Sequence, residues 1–449
     1  MMKKIVSLIC VFVILFSVPV FAEKGKKSKK TNELAANSET AVVIDMTSDY
    51  ILFDKDMNKK MYPASLTKLM TAILTVENTS MEDVVTVTKS SLKGINKFET
   101  SNVDLNEGDT LTVDELLHAL LIPSANDAAN VLAEFIAGSQ KEFVTMMNNR
   151  AKELGCANTH FVNANGLHDD DHYTTAYDIA LMAKEAMTKP EIAKIVEKWS
   201  YVSSTNGYTY ASTNHLVSRW VYVDYYYVNA TGIKTGYTDE AKRTLAASAS
   251  DGEHTIIAVV MGCEDGEDGT FNTFVDAKQL LSHFQETHGN KTYISANQII
   301  GEKKVKNASG DGRLLLTTPV TQEAYLPLDA KDSDFTYEIR LEDKELKAPI
   351  EKNQKLGYAD VLFRGTKISR VEIMSDRRIK KSYIKAFFNL IGGSTLFKFI
   401  GCIIIALFVI MLVIRQHNLS KRRKKRAEKI RQMKIREEEQ EQRFKNNNI

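Results

Sequence analysis

The spacing of apolar residues along this chain switches from a period of two, to three-and-four, and back to two. The segment 41-AVVIDMTSDYILFDKD-56 holds two strand-like runs joined by a Thr-Ser-Asp turn. A helix, 62-YPASLTKLMTA-72, follows it, with Pro63 near its start and Leu66, Leu69, Met70 and Ile73 as its apolar stripe. From about residue 110 to 198 the pattern is mostly helical. TVDELLHALLI, NDAANVLAEFIA, KEFVTMMNNRAKEL and TAYDIALMAKEAM each place apolar residues three and four apart. Strand signals return in 220-WVYVDYYYVNATGIKTG-236, 243-RTLAASAS-250 and 254-HTIIAVVMG-262, and 271-FNTFVDAKQLLSHF-284 predicts a closing helix. Strands at both ends of a helical insert predict one sheet completed by distant segments. Between about 290 and 375, runs such as RLLLTTPV, FTYEIRL and SRVEIM alternate with Gly/Asp/Asn-rich turns, which predicts a small separate β domain with no catalytic constellation of its own.

The two ends follow different rules. Residues 1–22 read as a signal peptide: Lys3 and Lys4, an apolar core from Ile5 to Val18, and a Val20-Phe21-Ala22 cleavage pattern. Residues 23–38 form a polar, Lys-rich flexible lead-in. At the far end, 396-LFKFIGCIIIALFVIMLVI-414 is 19 residues with Lys398 as its one charge, and 421-KRRKKR-426 follows. This pairing predicts a transmembrane helix with a stop-transfer signal. The tail, 415–449, carries 13 Lys/Arg against five in the juxtamembrane stretch 376-DRRIKKSYIK-385, so it should face the cytoplasm and leave the body on the extracytoplasmic face. The expected boundaries are a catalytic domain at 39–287, a β-rich domain at 288–375 and a juxtamembrane segment at 376–395.

Charge supports that division. The formal net charge is +2 over 449 residues, but residues 415–449 alone carry +8, which leaves −6 on the rest. No basic surface in the body argues for nucleic acid, and the tail is explained by anionic lipid. Of four cysteines, Cys10 falls in the leader and Cys402 in the span, so Cys156 and Cys263 make no disulfide framework and no CxxC metal pattern. Whether these two pair is open at this level.

Candidate chemistry comes from three short patterns: Ser65-x-x-Lys68, Ser124-Ala125-Asn126 and Lys234-Thr235-Gly236. Each is weak alone, since Ser-x-x-Lys recurs at Ser90–Lys93 and Ser382–Lys385, and Ser-x-Asn at Ser204, Ser212 and Ser295. Context separates them. Ser65 opens a long apolar helix, Ser124 sits at a Pro-marked helix junction, and Lys234-Thr235-Gly236 ends a strand where glycine admits a close substrate. A serine hydroxyl needs a base near neutral pH, and Lys68 lies one helical turn away. Burial and the charge of Lys234 would both favour its neutral form. The Ser65 backbone N–H, near the helix start, can hold a tetrahedral oxyanion.

The trio, with the stretches PASLTKLMTA, NANGLHDDDHYTTAYDIALMA and GIKTGYT, resembles the low-molecular-weight penicillin-binding D-alanyl-D-alanine carboxypeptidases of the peptidase S11 type. The likeness covers roughly residues 38–375. It implies an α/β (α+β) fold like that of serine β-lactamases and transpeptidases, with a central antiparallel sheet and a helical subdomain, then a small all-β domain. It implies Ser65 as nucleophile, Lys68 as base, Ser124 as proton relay and Asn126 as a partner for the substrate amide. Lys234 and Thr235 would meet the terminal carboxylate, Gly236 would border the substrate, and the Tyr237 N–H would be the second oxyanion donor. The implied partners are peptidoglycan stem peptides ending in D-Ala-D-Ala and β-lactam antibiotics, with no cofactor and no metal.

Two departures stand out. Relatives commonly carry Ser-Gly-Asn where this chain has Ser-Ala-Asn. They also often place an arginine shortly after the strand that follows Lys-Thr-Gly, where this chain reads 263-CEDGEDGT-270, so carboxylate recognition should be weaker or built differently. The run 168-HDDDH-172 has ligand-type residues but no third His and no HExxH pattern, and reads better as a cleft-lining loop. The aromatic stretch 220–228 reads as a half-buried strand, with glycan stacking as the alternative. Rival functions at this level are a β-lactamase, a transpeptidase and a catalytically quiet wall-binding scaffold. No Glu-x-x-Leu-Asn stretch suited to class A deacylation lies between Ser124 and Lys234.

Overall fold

A computed structural model describes residues 34–48, 50–96, 100–393 and 395–446. The expected leader and residues 23–33 of the lead-in lie outside the described residues. The described residues fall into two compact units, one within Met1–Lys291 together with Ala324–Ala330, the other within Thr292–Glu323 and Lys331–Ile449.

In the first unit the elements run β1 (Thr40–Asp45), β2 (Ile51–Lys55), α1 (Lys68–Asn78), β3 (Val84–Thr86), β4 (Thr110–Thr112), α2 (Val113–Leu121), α3 (Asn126–Ala137), α4 (Gln140–Glu153), α5 (Ala176–Thr188), α6 (Pro190–Val196), β5 (Ser200–Val202), β6 (Thr209–Ala211), β7 (Ala230–Thr238), β8 (Lys242–Ser250), β9 (Thr255–Cys263) and α7 (Asn272–Thr287). The main sheet is antiparallel in the order β2-β1-β9-β8-β7, so β1, near the start of the chain, pairs with β9 some 200 residues later. The small pairs β3–β4 and β5–β6 border the helical part.

The sheet is covered on both faces, which is why its strands read as nearly continuous apolar runs. Along β1, Val42 and Ile44 join the cluster formed with α1 to α6, whereas Ala41 and Val43 join Phe274, Leu280 and Phe284 of α7. The same two-residue alternation sorts Ala246 from Leu245 and Ala247 on β8. Helix starts follow side-chain capping. Thr112, Ser139 and Thr175 accept the N–H of Glu115, Glu142 and Asp178 at the heads of α2, α4 and α5.

Three local expectations are corrected. Ser65 does not sit in the α-helix; it lies in a 3₁₀ turn, Ala64–Thr67, and α1 begins at Lys68. The aromatic stretch 220–228 is no strand, because β7 starts only at Ala230. Successive turns form it instead, with Tyr225 N–H bonded to Tyr222 O and Tyr226 N–H to Val223 O. Its aromatic composition favours a sheet, but Tyr225 packs on Phe271 and Phe274 while Trp220 stays exposed, so no face alternates. Finally, Ala324–Ala330, expected in the β domain, groups with the first unit. Tyr325 is buried beside Val43 and Phe284 and donates its hydroxyl to Phe284 O at 3.1 Å.

Beyond α7 come β10 (His288–Ile294), β11 (Ile299–Lys304), β12 (Arg313–Thr317), β13 (Gln322–Pro327), β14 (Phe335–Leu341), β15 (Lys355–Phe363), β16 (Thr366–Ser375), α8 (Tyr383–Gly393) and α9 (Thr395–Asn446). The second unit holds a five-stranded sheet, β11-β12-β16-β15-β14, and β10 pairs with β13. Leu314, Leu316, Val361, Phe363 and Ile373 are buried there, matching the alternation in the sequence. Helix α9 contains a span, Lys398–Gln440, long and apolar enough to cross a membrane by length and composition.

Candidate active site

The site forms where the 3₁₀ turn, the head of α3, the loop before α5 and strand β7 converge. Pro63 heads a 3₁₀ turn that leaves Ser65 partly exposed while Leu66 and Thr67 are buried. Three residues on, Lys68 is fully buried at the first position of α1. Its Nζ lies 2.9 Å from Ser65 Oγ, 2.6 Å from Asn126 Oδ1 and 2.6 Å from the carbonyl oxygen of Asn165.

That surrounding decides the protonation of Lys68. Burial holds its pKa well below the usual lysine value, and Lys234 pushes the same way, with Asp127 opposing weakly. A neutral amine has two N–H bonds and one lone pair. Asn126 Oδ1 and Asn165 O accept the two N–H bonds, which leaves the lone pair for the Ser65 hydroxyl.

Each supporting position has a local cause. Asn126 starts α3, and Asp127 in the same first turn accepts the N–H groups of Val103, Leu105 and Ala128, tying the preceding loop to the helix N-terminus. Asn165 belongs to 163-NANGL-167, a self-bonded loop in which Asn163 Oδ1 accepts the Gly166 N–H and Asn165 Oδ1 the Leu167 N–H. Gly166 has φ +87°, and a Cβ there would lie 2.0 Å from Ala64 O. Only glycine lets this loop touch the Ser65 turn. Gly236 serves the same end on β7: a Cβ would lie 2.9 Å from the Ser65 nitrogen. Strand β7 therefore runs against the first turn of the nucleophile, where helix geometry leaves N–H donors without intrahelical acceptors.

Ser65, Ser124, Asn126, Thr235, Gly236 and Tyr237 all line one cavity of about 830 Å³. Ser124 is nearly buried with φ +69°, a conformation costing a non-glycine residue ~1 kcal/mol or more that the flanking Ala125 N–H to Ala119 O bond maintains. Thr235 Oγ1 lies 2.6 Å from Thr213 Oγ1. Lys234 departs from the sequence reading. It is buried rather than lining the cavity, its Nζ donates to Thr235 O at 2.9 Å, and burial pulls its pKa down to about 7. The sequence reading passed over Asn165, Thr213, His215, Arg243 and Phe271. For Asn165 the Asn-Ala-Asn-Gly turn signal is present; Arg243 is placed by its cross-strand pairing with Tyr237, and Thr213, His215 and Phe271 by loop and helix-start segments that the fold brings to the cavity.

The HDDDH run divides. His168 lines the cavity and meets Tyr62 edge-on at 4.8 Å, while His172 is structural. His172 Nδ1 accepts the Val162 N–H, so Nε2 carries the proton and donates to Thr67 Oγ1, which in turn donates to Ala64 O. No group of three His, Cys, Asp or Glu able to hold a metal occurs among the described residues. Cys156 and Cys263 are free buried thiols whose pKa values burial pushes to about 12 and about 11.

Burial also lowers His172 to about 4 against an ordinary 6.5. As pH falls below 6.5 the unfolded chain takes up a proton that the folded chain refuses until about 4, so stability drops across that window. We expect His172 to account for a loss of about 2 kcal/mol between pH 7 and pH 5. Urea midpoints of wild type and His172→Gln at the two pH values measure it; equal slopes would refute it.

The chain is similar to known proteins along most of its length. Residues 26–265 match the D-alanyl-D-alanine carboxypeptidase family, peptidase S11, and residues 289–381 match the C-terminal domain of penicillin-binding protein 5. The chain is 32% identical to the D-alanyl-D-alanine carboxypeptidase DacF of Bacillus subtilis, over 88% of this chain and 100% of that protein. It is 30% identical to DacD of Escherichia coli over 82% of this chain and 93% of that one. The crystal structure of penicillin-binding protein 5 from Haemophilus influenzae superposes with a TM-score of 0.63 at 27% identity, covering 80% of this chain and 100% of the other. A chain so matched along its catalytic and trailing domains belongs to the peptidase S11 family of D-alanyl-D-alanine carboxypeptidases.

Proposed function

We propose that this chain is a serine-type D-alanyl-D-alanine carboxypeptidase that removes the terminal D-Ala from peptidoglycan pentapeptides through a Ser65 ester and is inhibited by penicillins. The observation that carries the reading is the buried Lys68 amine, held by Asn126 and Asn165 at 2.9 Å from Ser65 Oγ. Ser65 Oγ attacks the carbonyl carbon of the penultimate D-Ala while its proton passes to Lys68 Nζ. The Ser65 and Tyr237 N–H groups hold the oxyanion, Ser124 passes a proton to the departing nitrogen, and the C–N bond breaks to release D-Ala. Asn126 Nδ2 remains for the substrate amide, and water then cleaves the ester.

The rest of the build fits a wall enzyme. A leader at 1–22 would export the body, and the apolar start of α9 would anchor it with the basic tail on the cytoplasmic side. Incubating the full chain in detergent with a labelled penicillin and with a pentapeptide ending in D-Ala-D-Ala tests the reading. A stable label on the peptide containing Ser65, with stoichiometric release of D-Ala, is expected. Rapid turnover of the penicillin would make it a β-lactamase, and no labelling would make it a scaffold.

A further inference from the structure

We infer that Arg243 is the receptor for the substrate's terminal carboxylate, supplied from β8 and aimed by Asp265, and that it makes the enzyme selective for free chain ends. The inference rests on the Ser65 reading above. Arg243 pairs with Tyr237 across β7 and β8 and lines the same cavity as Ser65 and Thr235. It is the one Lys or Arg among the described residues lining that cavity.

Three contacts fix the guanidinium and leave one edge free. Its Nε donates to Asp265 Oδ1, and its Cζ stands 4.3 Å from the ring centre of Phe271 and 5.2 Å from that of Tyr237. Among the described residues no acceptor takes either terminal Nη group, although a guanidinium presents a two-pronged donor edge that matches a carboxylate. Asp265 lies in the acidic segment 263–270, just past β9. The stretch that lacks an arginine thus supplies the carboxylate that orients one from the neighbouring strand.

Other charges in the cleft make this cation necessary. Asp239 and Glu240 line the same cavity and repel an anionic chain end. Lys234 is buried, with a pKa near 7, and donates to Thr235 O. His215 lines the cavity too, but burial and the charge of Arg243 lower it to about 4, so it is neutral at neutral pH. Thr235 Oγ1 and the Arg243 fork together can bind both carboxylate oxygens.

The test compares two peptides cleaved at the same bond, diacetyl-Lys-D-Ala-D-Ala and its C-terminal carboxamide, using the full chain in detergent. Arg243→Gln should lower kcat/KM for the free acid by about 30-fold or more, the range of a lost charge-assisted hydrogen bond, and leave the carboxamide within about twofold. Arg243→Lys should keep part of the preference. Asp265→Asn, which acts through the arginine, should erode the acid rate and spare the carboxamide, a split that a merely structural role would not give. If Arg243→Gln and Asp265→Asn reduce both peptides equally, or leave both unchanged, the inference is wrong. A wild type that cleaves neither peptide overturns the carboxypeptidase reading itself.

Discussion

Lys68→Ala is expected to lower the rate of Ser65 acylation by about 10³-fold, within the range for removing a positioned general base. The substitution leaves Ser65 and the oxyanion donors in place, so substrate should still bind. The loss should therefore appear in kcat, with KM for the pentapeptide changed little. In the wild type, acylation needs the neutral amine, and the Lys68 pKa lies well below the ordinary lysine value. Acylation should rise with pH on a limb set by that lowered pKa, and the limb should vanish in Lys68→Ala. Stopped-flow acylation by a chromogenic β-lactam across pH reads both effects. Normal acylation in the variant would remove Lys68 as the base. The side chain is fully buried and holds Asn126 and Asn165, so Lys68→Met, which keeps most of the volume, is the variant to use if the alanine form is unstable.

Much of this site could be read from the sequence because side-chain chemistry fixes residue type and spacing. Ser65 and Lys68 must sit one turn apart, and Lys234-Thr235-Gly236 must lie on a strand, although that strand, β7, runs two residues past Gly236 to Thr238 rather than ending there. What could not be read was the part made by main-chain atoms and cross-strand register. Asn165 contributes a carbonyl oxygen, which any residue possesses; the turn residues around it only bend the chain. Arg243 reaches the cleft through its pairing with Tyr237, and the sequence distance between it and Asp265 conceals their contact. The fold followed a similar division. Strands β1, β8 and β9 were legible because burial on both faces writes long apolar runs, and the helices because each buries one stripe. The stretch 220–228 misled because tyrosine and valine favour strands wherever a sheet edge is offered. Here the residues turn twice over α7 instead, and Tyr222 packs at a tilt against His215, ring centres 4.3 Å apart.

Gly166→Ala should be the most damaging substitution outside the catalytic side chains. Gly166 has φ +87°, which costs an alanine about 1 kcal/mol. The larger part is steric, because the new Cβ would lie 2.0 Å from Ala64 O and 2.5 Å from Ala64 C, both backbone atoms. Backbone cannot swing aside as a side chain can, so either the Ser65 turn or the Asn163–Leu167 loop must move. Moving the turn displaces the nucleophile from the Lys68 amine. Moving the loop withdraws the Asn165 carbonyl that fixes that amine at 2.6 Å. A shift of ~1 Å in either is enough to cost about 10²-fold in acylation, with a stability loss of about 2–4 kcal/mol. Gly155→Ala is the matched control: φ is +82° there, but nothing lies within 4 Å of its Cβ position. It should lose about 1 kcal/mol and acylate at the wild-type rate. Urea denaturation and β-lactam acylation measured on both variants separate backbone strain from collision. Equal acylation by the two would mean that the loop carrying Asn165 does not hold Lys68 in its working position.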